Sequence, residues 1–315
     1  MINLPKQFLS LDMGNHSYKY IEAQLSDKLK IIRYGYCMQE QLFNSNTPAK
    51  TWRKVGSRFK NVVISFQHKS LITRELEIKD CDKYQLHNIV KEEFQQYQYD
   101  LKEEYDYDFI VQSYDEKTGI YMIKAAGISK KVNREYINKT FCLGMRPKAV
   151  DIQVNAIIRI IRKALNHSEK YTVQLPCLLI DLGYSNTTVA IINLNEIIAL
   201  KSIAIGCSIL NNLSDGYKIY LKEITLLINQ IIDHYFYRYN NEELQQAYLY
   251  GGGSFINLII TQLNDQIPIR WNLLNHITQF LPDLPSDMDL NLYGNCLGSL
   301  YWIEEKYTNK KGSLT

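Results

Sequence analysis

An internal repeat constrains this chain more than any other feature of its sequence. Residues 8–14 read Phe-Leu-Ser-Leu-Asp-Met-Gly, and residues 177–183 read Cys-Leu-Leu-Ile-Asp-Leu-Gly. Setting Asp12 on Asp181 needs no gap for about twenty-five residues. In each copy an apolar strand ends at Asp-x-Gly. A polar turn follows, Asn15-His16-Ser17 in one and Tyr184-Ser185-Asn186 in the other. A second strand (18–24; 187–193) and a third (29–36; 197–205) come next. The strands are rich in Ile, Val, Thr and Tyr, and the turns in Asn, Ser and Asp, as pleated segments and tight connections require. Two β-β-β units predict two related lobes whose Asp-x-Gly turns face each other across a cleft. Residues 8–36 and 177–205 are expected to superpose as equivalent units in separate sheets.

Helices are expected to follow each unit. Residues 150–167 place Val154, Ile157, Ile158, Ile161 and Leu165 on one face, with Arg159, Arg162 and Lys163 opposite. Residues 217–239 read as a longer helix with Ile224, Leu227, Ile228, Ile231 and Ile232 inward. Strands mixed with helices in this way indicate α/β lobes. Between them, residues 67–147 form a block of their own. Residues 70–78 alternate as a strand. Asp82 and Gln85 make a capping-box start for a helix with Leu86, Ile89, Val90, Phe94 and Tyr97 on one side. Residues 107–113 and 119–128 read as a hairpin around Asp115 to Gly119. Ser129 is expected to cap a further helix ending at Gly144. The division expected is a first lobe of 1–66 with 148–172 and a C-terminal helix at 294–315, an insertion at 67–147, and a second lobe at 173–293.

A chain of 315 residues is comfortable for two cores. Its net charge of +3 does not point to a nucleic-acid partner, and the basic pairs Lys130–Lys131 and Lys310–Lys311 read as solvated surface. The six cysteines are scattered without a C-x-x-C pair, so reduced thiols are expected, not a zinc site or a disulfide scaffold. No stretch reaches the ~18 apolar residues of a membrane span, and residues 1–10 lack the apolar core of a signal peptide. The expectation is a cytoplasmic protein that meets a membrane only through a partner.

The turns carry the chemistry. A phosphate is met by backbone N–H groups in a tight turn, and glycine lets the chain approach it closely. Gly14 and Gly183 sit at such turns. Asn15, His16 and Ser17 on one side, and Ser185, Asn186 and Thr187 on the other, add polar groups, and Lys19 adds a point charge. Asp12 and Asp181 bring two carboxylates to the same cleft. Carboxylates facing phosphates need a cation between them, which implies Mg²⁺ held largely through water. A third element, Gly251-Gly252-Gly253, joins a strand (Tyr248 to Tyr250) to a helical stretch and suits a ligand's flat or anionic part. The competing reading is two ordinary hairpin turns that use Asp and Gly for geometry.

This ordered set resembles the phosphate-1, phosphate-2 and adenosine motifs of the actin and Hsp70 superfamily. Within it the chain is most similar to the PilM family of type IV pilus assembly. Residues 11–19 (LDMGNHSYK) resemble that family's opening LDIGSSSIK. Residues 63–66 and 72–78 sit where it has a strand pair. Residues 92–97 (EEFQQY) resemble its WEAEQYIPF helix, residues 144–151 (GMRPKAVD) its GLKPVAVD, residues 180–191 its second phosphate hairpin, and residues 248–254 (YLYGGGS) its YLSGGGA. The resemblance implies an α/β protein with a duplicated actin-like ATPase fold, two lobes and an FtsA-like 1C insertion at 67–147. It implies ATP between the lobes, with hydrolysis weak or absent. It also implies a scaffold that binds the short cytoplasmic N-terminal tail of a PilN-like inner-membrane protein, linking the pilus assembly platform to motor components. The tail would lie in a groove walled by 1C and the first lobe, with residues 70–78 as an edge strand and Glu92, Glu93, Phe94, Tyr97 and Tyr99 nearby. Only 42 residues separate Ile205 from Tyr248, which implies a reduced 2B subdomain. Gly206-Cys207 stands where the family has Gly-Gly, and His16 stands where it has a small residue, so a ring crowds the first phosphate turn.

Two other functions remain open on these residues. A small-molecule kinase of the same superfamily would use Asp151 or Gln153 near the cleft hinge as base or positioning group; helix capping and packing is the competing role for both. An FtsA-like division filament would need an amphipathic C-terminus, and residues 307–315 are short and polar.

Overall fold

A computed structural model of the chain describes residues 6–44, 52, 59, 61–79, 81–82, 84–101, 103–167, 173–194, 196–212, 215–239, 243–253 and 257–312. The chain opens with β1 (Lys6–Met13), β2 (Ser17–Leu25), β3 (Leu29–Met38), α1 (Gln39–Asn44) and β4 (Val62–Phe66). It continues through β5 (Ile72–Lys79), α2 (Leu86–Leu101), β6 (Tyr105–Asp115), β7 (Ile120–Ser129) and α3 (Lys130–Cys142). Then come β8 (Pro147–Ile152), α4 (Gln153–Asn166), β9 (Cys177–Leu182), β10 (Thr187–Asn193), β11 (Glu196–Ile203), α5 (Ile209–Asn212) and α6 (Gly216–Arg238). It closes with β12 (Gln246–Tyr250), α7 (Asn257–Gln266), β13 (Arg270–Leu273), a 3₁₀ turn at Leu274–Phe280 and α8 (Leu290–Gly312).

The repeat becomes two separate five-stranded sheets of one topology, β3-β2-β1-β4-β8 and β11-β10-β9-β12-β13. In each, the first three strands are antiparallel and the last two run parallel to the first. The first hairpins match residue for residue. Asp12 lies opposite Lys19, and Asp181 opposite Thr188. Across the parallel neighbour, Asp12 faces Ser65 and Asp181 faces Tyr250. Even the irregularity recurs, at Glu22/Ala23 in one sheet and at Ile191/Ile192 in the other. The third strand departs from the gapless expectation. Glu22 pairs with Arg33, whereas its counterpart Ile191 pairs with Ala199. The second hairpin of the second sheet is tighter, so β11 meets β10 sooner along the chain.

The expected helix at 150–167 begins later, because Val150 to Ile152 belong to β8 and pair in parallel with Ile64 to Phe66. An apolar run of this length satisfies either period, and the open edge of β4 decides it. The expected pairing of residues 63–66 with 72–78 does not form, since β4 joins β1 and β8 while β5 joins β7.

One core cluster gathers β1 (Phe8), β2 (Ile21, Ala23), α4 (Ile157, Ile161), β9 (Leu179), β12 (Tyr248) and α8 (Cys296, Leu297, Leu300), so it serves both sheets. A second, under α6, takes Ile224, Leu227, Ile228, Ile231 and Ile232, as the helical period predicts, together with Leu178, Ile180 and Leu249. Helices α4 and α8 approach closely at Gly298, where any side chain would collide with the Ala156 carbonyl. Between them Asp151 accepts both guanidinium nitrogens of Arg159 (2.6 and 3.1 Å) and the Ser299 hydroxyl (2.8 Å).

Residues 68–142 form a second compact unit, distinct from residues 1–67 with 143–315. Its sheet has the order β5-β7-β6. Leu86, Val90 and Phe94 of α2 pack on Ile78, Tyr105, Ile123 and Ala125, so Phe94 is a core residue. The capping box forms as read: Asp82 Oδ1 accepts the Gln85 N–H (2.9 Å), and Gln85 Oε1 accepts the Asp82 N–H (3.1 Å). Asp115 organises the β6–β7 turn through the Lys117 N–H and the Thr118 hydroxyl. Ser129 does not cap α3. It ends β7 with its hydroxyl buried and, among the described residues, without a hydrogen bond. Gly144 stands just past α3 with φ 76°. The side chains of Tyr97 and Tyr99, singled out from the sequence, lie outside the described residues.

Candidate functional site

The two Asp-x-Gly turns come together, and their carboxylates meet different surroundings. Asp12, near the end of β1, is 3% exposed. Its Oδ1 accepts from the Gln153 side-chain amide (2.6 Å) and its Oδ2 from that of Asn295 (3.3 Å), while Lys19 Nζ stands 4.0 Å from Oδ2. Gln153 is the first residue of α4 and Asn295 lies on α8, so two helices aim amides at one strand end. Among the described residues, Gln153 Oε1 and Asn295 Oδ1 are buried without a hydrogen-bond partner.

The carboxyl of Asp181 has no such support and makes no side-chain hydrogen bond among the described residues. Burial, and then the charge of Asp12, push its carboxyl up to about 7, with Lys19 pulling the other way. The charge of Asp12 reaches Asp181, so both carboxylates face one cleft. Tyr250 adjoins them, with its hydroxyl buried and, among the described residues, unbonded; burial and the two carboxylates raise its pKa well above the ordinary phenol value. Gly251, with φ 91°, follows at once, and a side chain there would strike Asp181 Oδ1. Its N–H donates to the Asn291 carbonyl (2.8 Å), and the Gly253 N–H to that of Leu182 (2.9 Å). Gly252 faces open space. Ser254 lies outside the described residues.

At the mouth of the cleft the turns touch. The Asn15 amide donates to Asn186 Oδ1 (3.3 Å). The rings of His16 and Tyr184 stack with centroids 4.1 Å apart and planes 14° apart. Gly14 and Gly183 open these turns, Ser17 begins β2, and Ser185 lies in the second turn.

The structure thus draws Asp12, Lys19, Asp181 and Gly251 together, and Asn15, His16 and Asn186 beside them. It does not bring Thr187 to them. That hydroxyl donates to the Ile205 carbonyl (2.9 Å) and meets the Tyr220 hydroxyl (3.1 Å), inside the second lobe. Residues opposite each other in a pleat share a face, and Thr187 sits opposite the buried Leu182, not Asp181. Gly253 is likewise buried, against Cys207.

Sequence reasoning puts Gln153 at the cleft hinge, though not as a partner of Asp12, and does not assign three other residues of the cleft to it: Asn295, Tyr184 and Tyr250. Asn295 left a signal, being a polar residue on a helix between Gly294 and Gly298 where close packing was needed. Tyr184 left another, a bulky ring in a turn where phosphate binding asks for small groups. Asp151 is placed away from catalysis, since Arg159, Ser299 and the Ile152 N–H (2.9 Å) use its oxygens.

Among the described residues no three His, Cys, Asp or Glu side chains gather as a direct metal-binding set, and no helix is long and apolar enough to cross a membrane.

Two sheets of identical topology, each presenting an Asp-x-Gly turn to a shared cleft, define an actin-like ATPase fold. A family model described as Type IV pilus assembly protein PilM matches residues 38–223. That is more than half of the chain, and the chain belongs to the PilM family of type IV pilus assembly proteins. No curated protein matches the sequence. Among solved structures, the chain is similar to one named as the PilM-PilN type IV pilus biogenesis complex. The identity is 15%, the TM-score 0.72, and the match covers 92% of this chain and 96% of that one. Weaker likeness extends to a Bacteroides thetaiotaomicron protein with actin-like ATPase fold and unknown function (9% identity, TM-score 0.48, covering 89% and 96%). It extends also to the cytoplasmic domain of EpsL, an inner membrane component of the type II secretion system of Vibrio cholerae (11%, 0.46, covering 89% and 96%).

Proposed function

We propose that this chain is an ATP-binding scaffold of type IV pilus assembly, with Mg²⁺ and the phosphates between its two turns. The observation that carries the reading is the pair Asp12 and Asp181, set at equivalent register positions, with the charge of Asp12 adding to burial in raising the proton affinity of Asp181 across a cleft that, among the described residues, also holds unpartnered buried polar atoms. The donor set fits magnesium. Asp12 is already held by two amides and would reach the ion through water, and a cation would relieve the repulsion felt by Asp181. When bound, the ion would neutralise phosphate charge. Gly14, Asn15, His16, Ser17 and Lys19 line one side of the phosphate path, and Gly183, Ser185 and Asn186 the other; Gly251 and Gly252 border the nucleoside end. The structure offers a kinase reading no support at Asp151, whose oxygens are engaged by Arg159, Ser299 and the Ile152 N–H as a structural ion pair.

Calorimetry with ATP and Mg²⁺ tests this. Asp12→Ala and Asp181→Ala are each expected to weaken binding about tenfold or more, as lost anchors for the cation. Gly252→Val should weaken it by filling the open approach. No binding at millimolar ATP would overturn the nucleotide reading.

The partner we assign is the N-terminal cytoplasmic tail of a PilN-like inner-membrane protein, which would hold the chain at the membrane's inner face and connect it to the assembly platform and motor. Support comes from family membership and from β5, whose one strand partner among the described residues is β7. An extended peptide can add to such an edge through main-chain hydrogen bonds. A synthetic tail should capture the full chain and fail to capture a variant in which a short linker replaces residues 68–142. Undiminished capture by that variant would move the partner site elsewhere.

A further inference from the structure

We propose that His16 and Tyr184 form a latch that closes the two phosphate turns on each other, so that a phosphate enters only when the rings part. The gating half of this inference rests on the nucleotide reading above; the latch itself does not. Turns that cradle phosphate ordinarily carry small residues, so that backbone N–H groups reach the ligand. Here both turns carry a ring, and the two rings meet face to face at 4.1 Å. That spacing is filled by the rings alone, and the Asn15–Asn186 hydrogen bond closes the gap beside them.

The backbones behind the rings are tied down, each within its own lobe. The His16 carbonyl accepts the Gln39 N–H (2.9 Å), and the carbonyls of Gly183 and Tyr184 accept the N–H groups of Cys207 and Ser208 (2.9 Å each). The side chains are therefore the parts free to move, and their separation follows the separation of the lobes. Tyr184 is 39% exposed, so the stack lies at the rim and can open without disturbing either core. A pair of this kind biases a two-state equilibrium. Nucleotide affinity then falls by the fraction of molecules whose cleft is open.

Amide hydrogen exchange of the full nucleotide-free chain, with calorimetry alongside, tests the latch. Tyr184→Ser should speed exchange about tenfold at residues 14–18, in the opposite lobe, and His16→Ser should do the same at 183–187. The double variant should go no further than either single one, and Tyr184→Phe, which keeps the ring, should behave as the unaltered chain. With ATP and Mg²⁺, the serine variants should bind about tenfold more tightly. Unchanged exchange in the opposite turn, or additive effects of the two substitutions, would overturn the latch. So would weaker ATP binding by Tyr184→Ser. Coupled exchange with no ATP binding by any variant would uphold the latch and overturn the nucleotide reading instead.

Discussion

Asp12 and Asp181 occupy one position of a duplicated hairpin, yet the protein treats them in opposite ways. The strand opposite Asp12 supplies Lys19; the strand opposite Asp181 supplies Thr188. The parallel neighbour of Asp12 continues as Ser65 and Phe66, and that of Asp181 as Tyr250 and Gly251. Helices α4 and α8 both send an amide to Asp12. Asp181 is left with a half-buried, poorly solvated carboxyl, a like charge across the cleft and a glycine that makes room for it. Duplication therefore conserved the backbone of the site, while neighbouring side chains divided its roles. One carboxylate is a fixed part of the structure, and the other is poised to take up a proton or a cation.

Four substitutions can break or sharpen this contrast. Asp12→Ala carries the largest expected effect. It strands two buried amides and Lys19, and should cost about 3 kcal/mol in urea unfolding. A loss below about 1 kcal/mol, near the net value of a single ordinary hydrogen bond, would show that Asp12 is no better supported than Asp181. Gly251→Ala comes next. It forces a side chain onto a left-handed backbone and into Asp181, for about 2 kcal/mol; a neutral outcome in the same titration would mean that Asp181 can move aside freely.

Asp181→Asn should act in the other direction. The folded carboxyl titrates at about 7 and the unfolded one near 3.8. Below about pH 4 both states hold the proton and ionisation costs nothing. Between about 4 and 7 the unfolded chain gives up its proton first, so stability falls as pH rises, and it levels off above 7. Partial solvent screening reduces the effect, and the asparagine variant should gain about 1 to 2 kcal/mol at pH 8. Melting curves from pH 4 to 8 measure this, and a slope retained in the variant would assign it to another group. Gly252→Ala is the smallest. It points into open space and should shift stability by less than about 0.5 kcal/mol. A larger loss in thermal melts would put Gly252 inside the packing, as Gly251 is.

Much of this architecture was legible in local pattern. Period-two strands ending at Asp-x-Gly, the capping box at Asp82 and Gln85, and the period of α6 all depend on residues within one or two turns of each other, where steric and hydrogen-bond preferences act directly. The misreadings share a different cause. Val150 to Ile152 suit helix or strand equally, and became strand because β4, far away in sequence, offered an edge. The register of β11 depended on the tightness of one turn. Thr187 was grouped with its neighbours in the turn, although the pleat faces it into the second lobe's core. Asn295 lies 283 residues from the carboxylate it holds, beyond any local signal.

By itself, the sequence determined that this chain builds two copies of one strand unit, each with an Asp-x-Gly turn, with a small α+β block between them. Those outcomes follow from backbone sterics and side-chain periodicity, which need only near neighbours. Tertiary structure alone decided which carboxylate is buttressed, which is left to titrate, and that two rings from turns far apart in the chain close the cleft. Hydrogen bonds, desolvation and charge act through space over a few ångströms. The groups that set them for Asp12 and Asp181 come from α4, α8, β2 and β12, segments that only folding brings within reach.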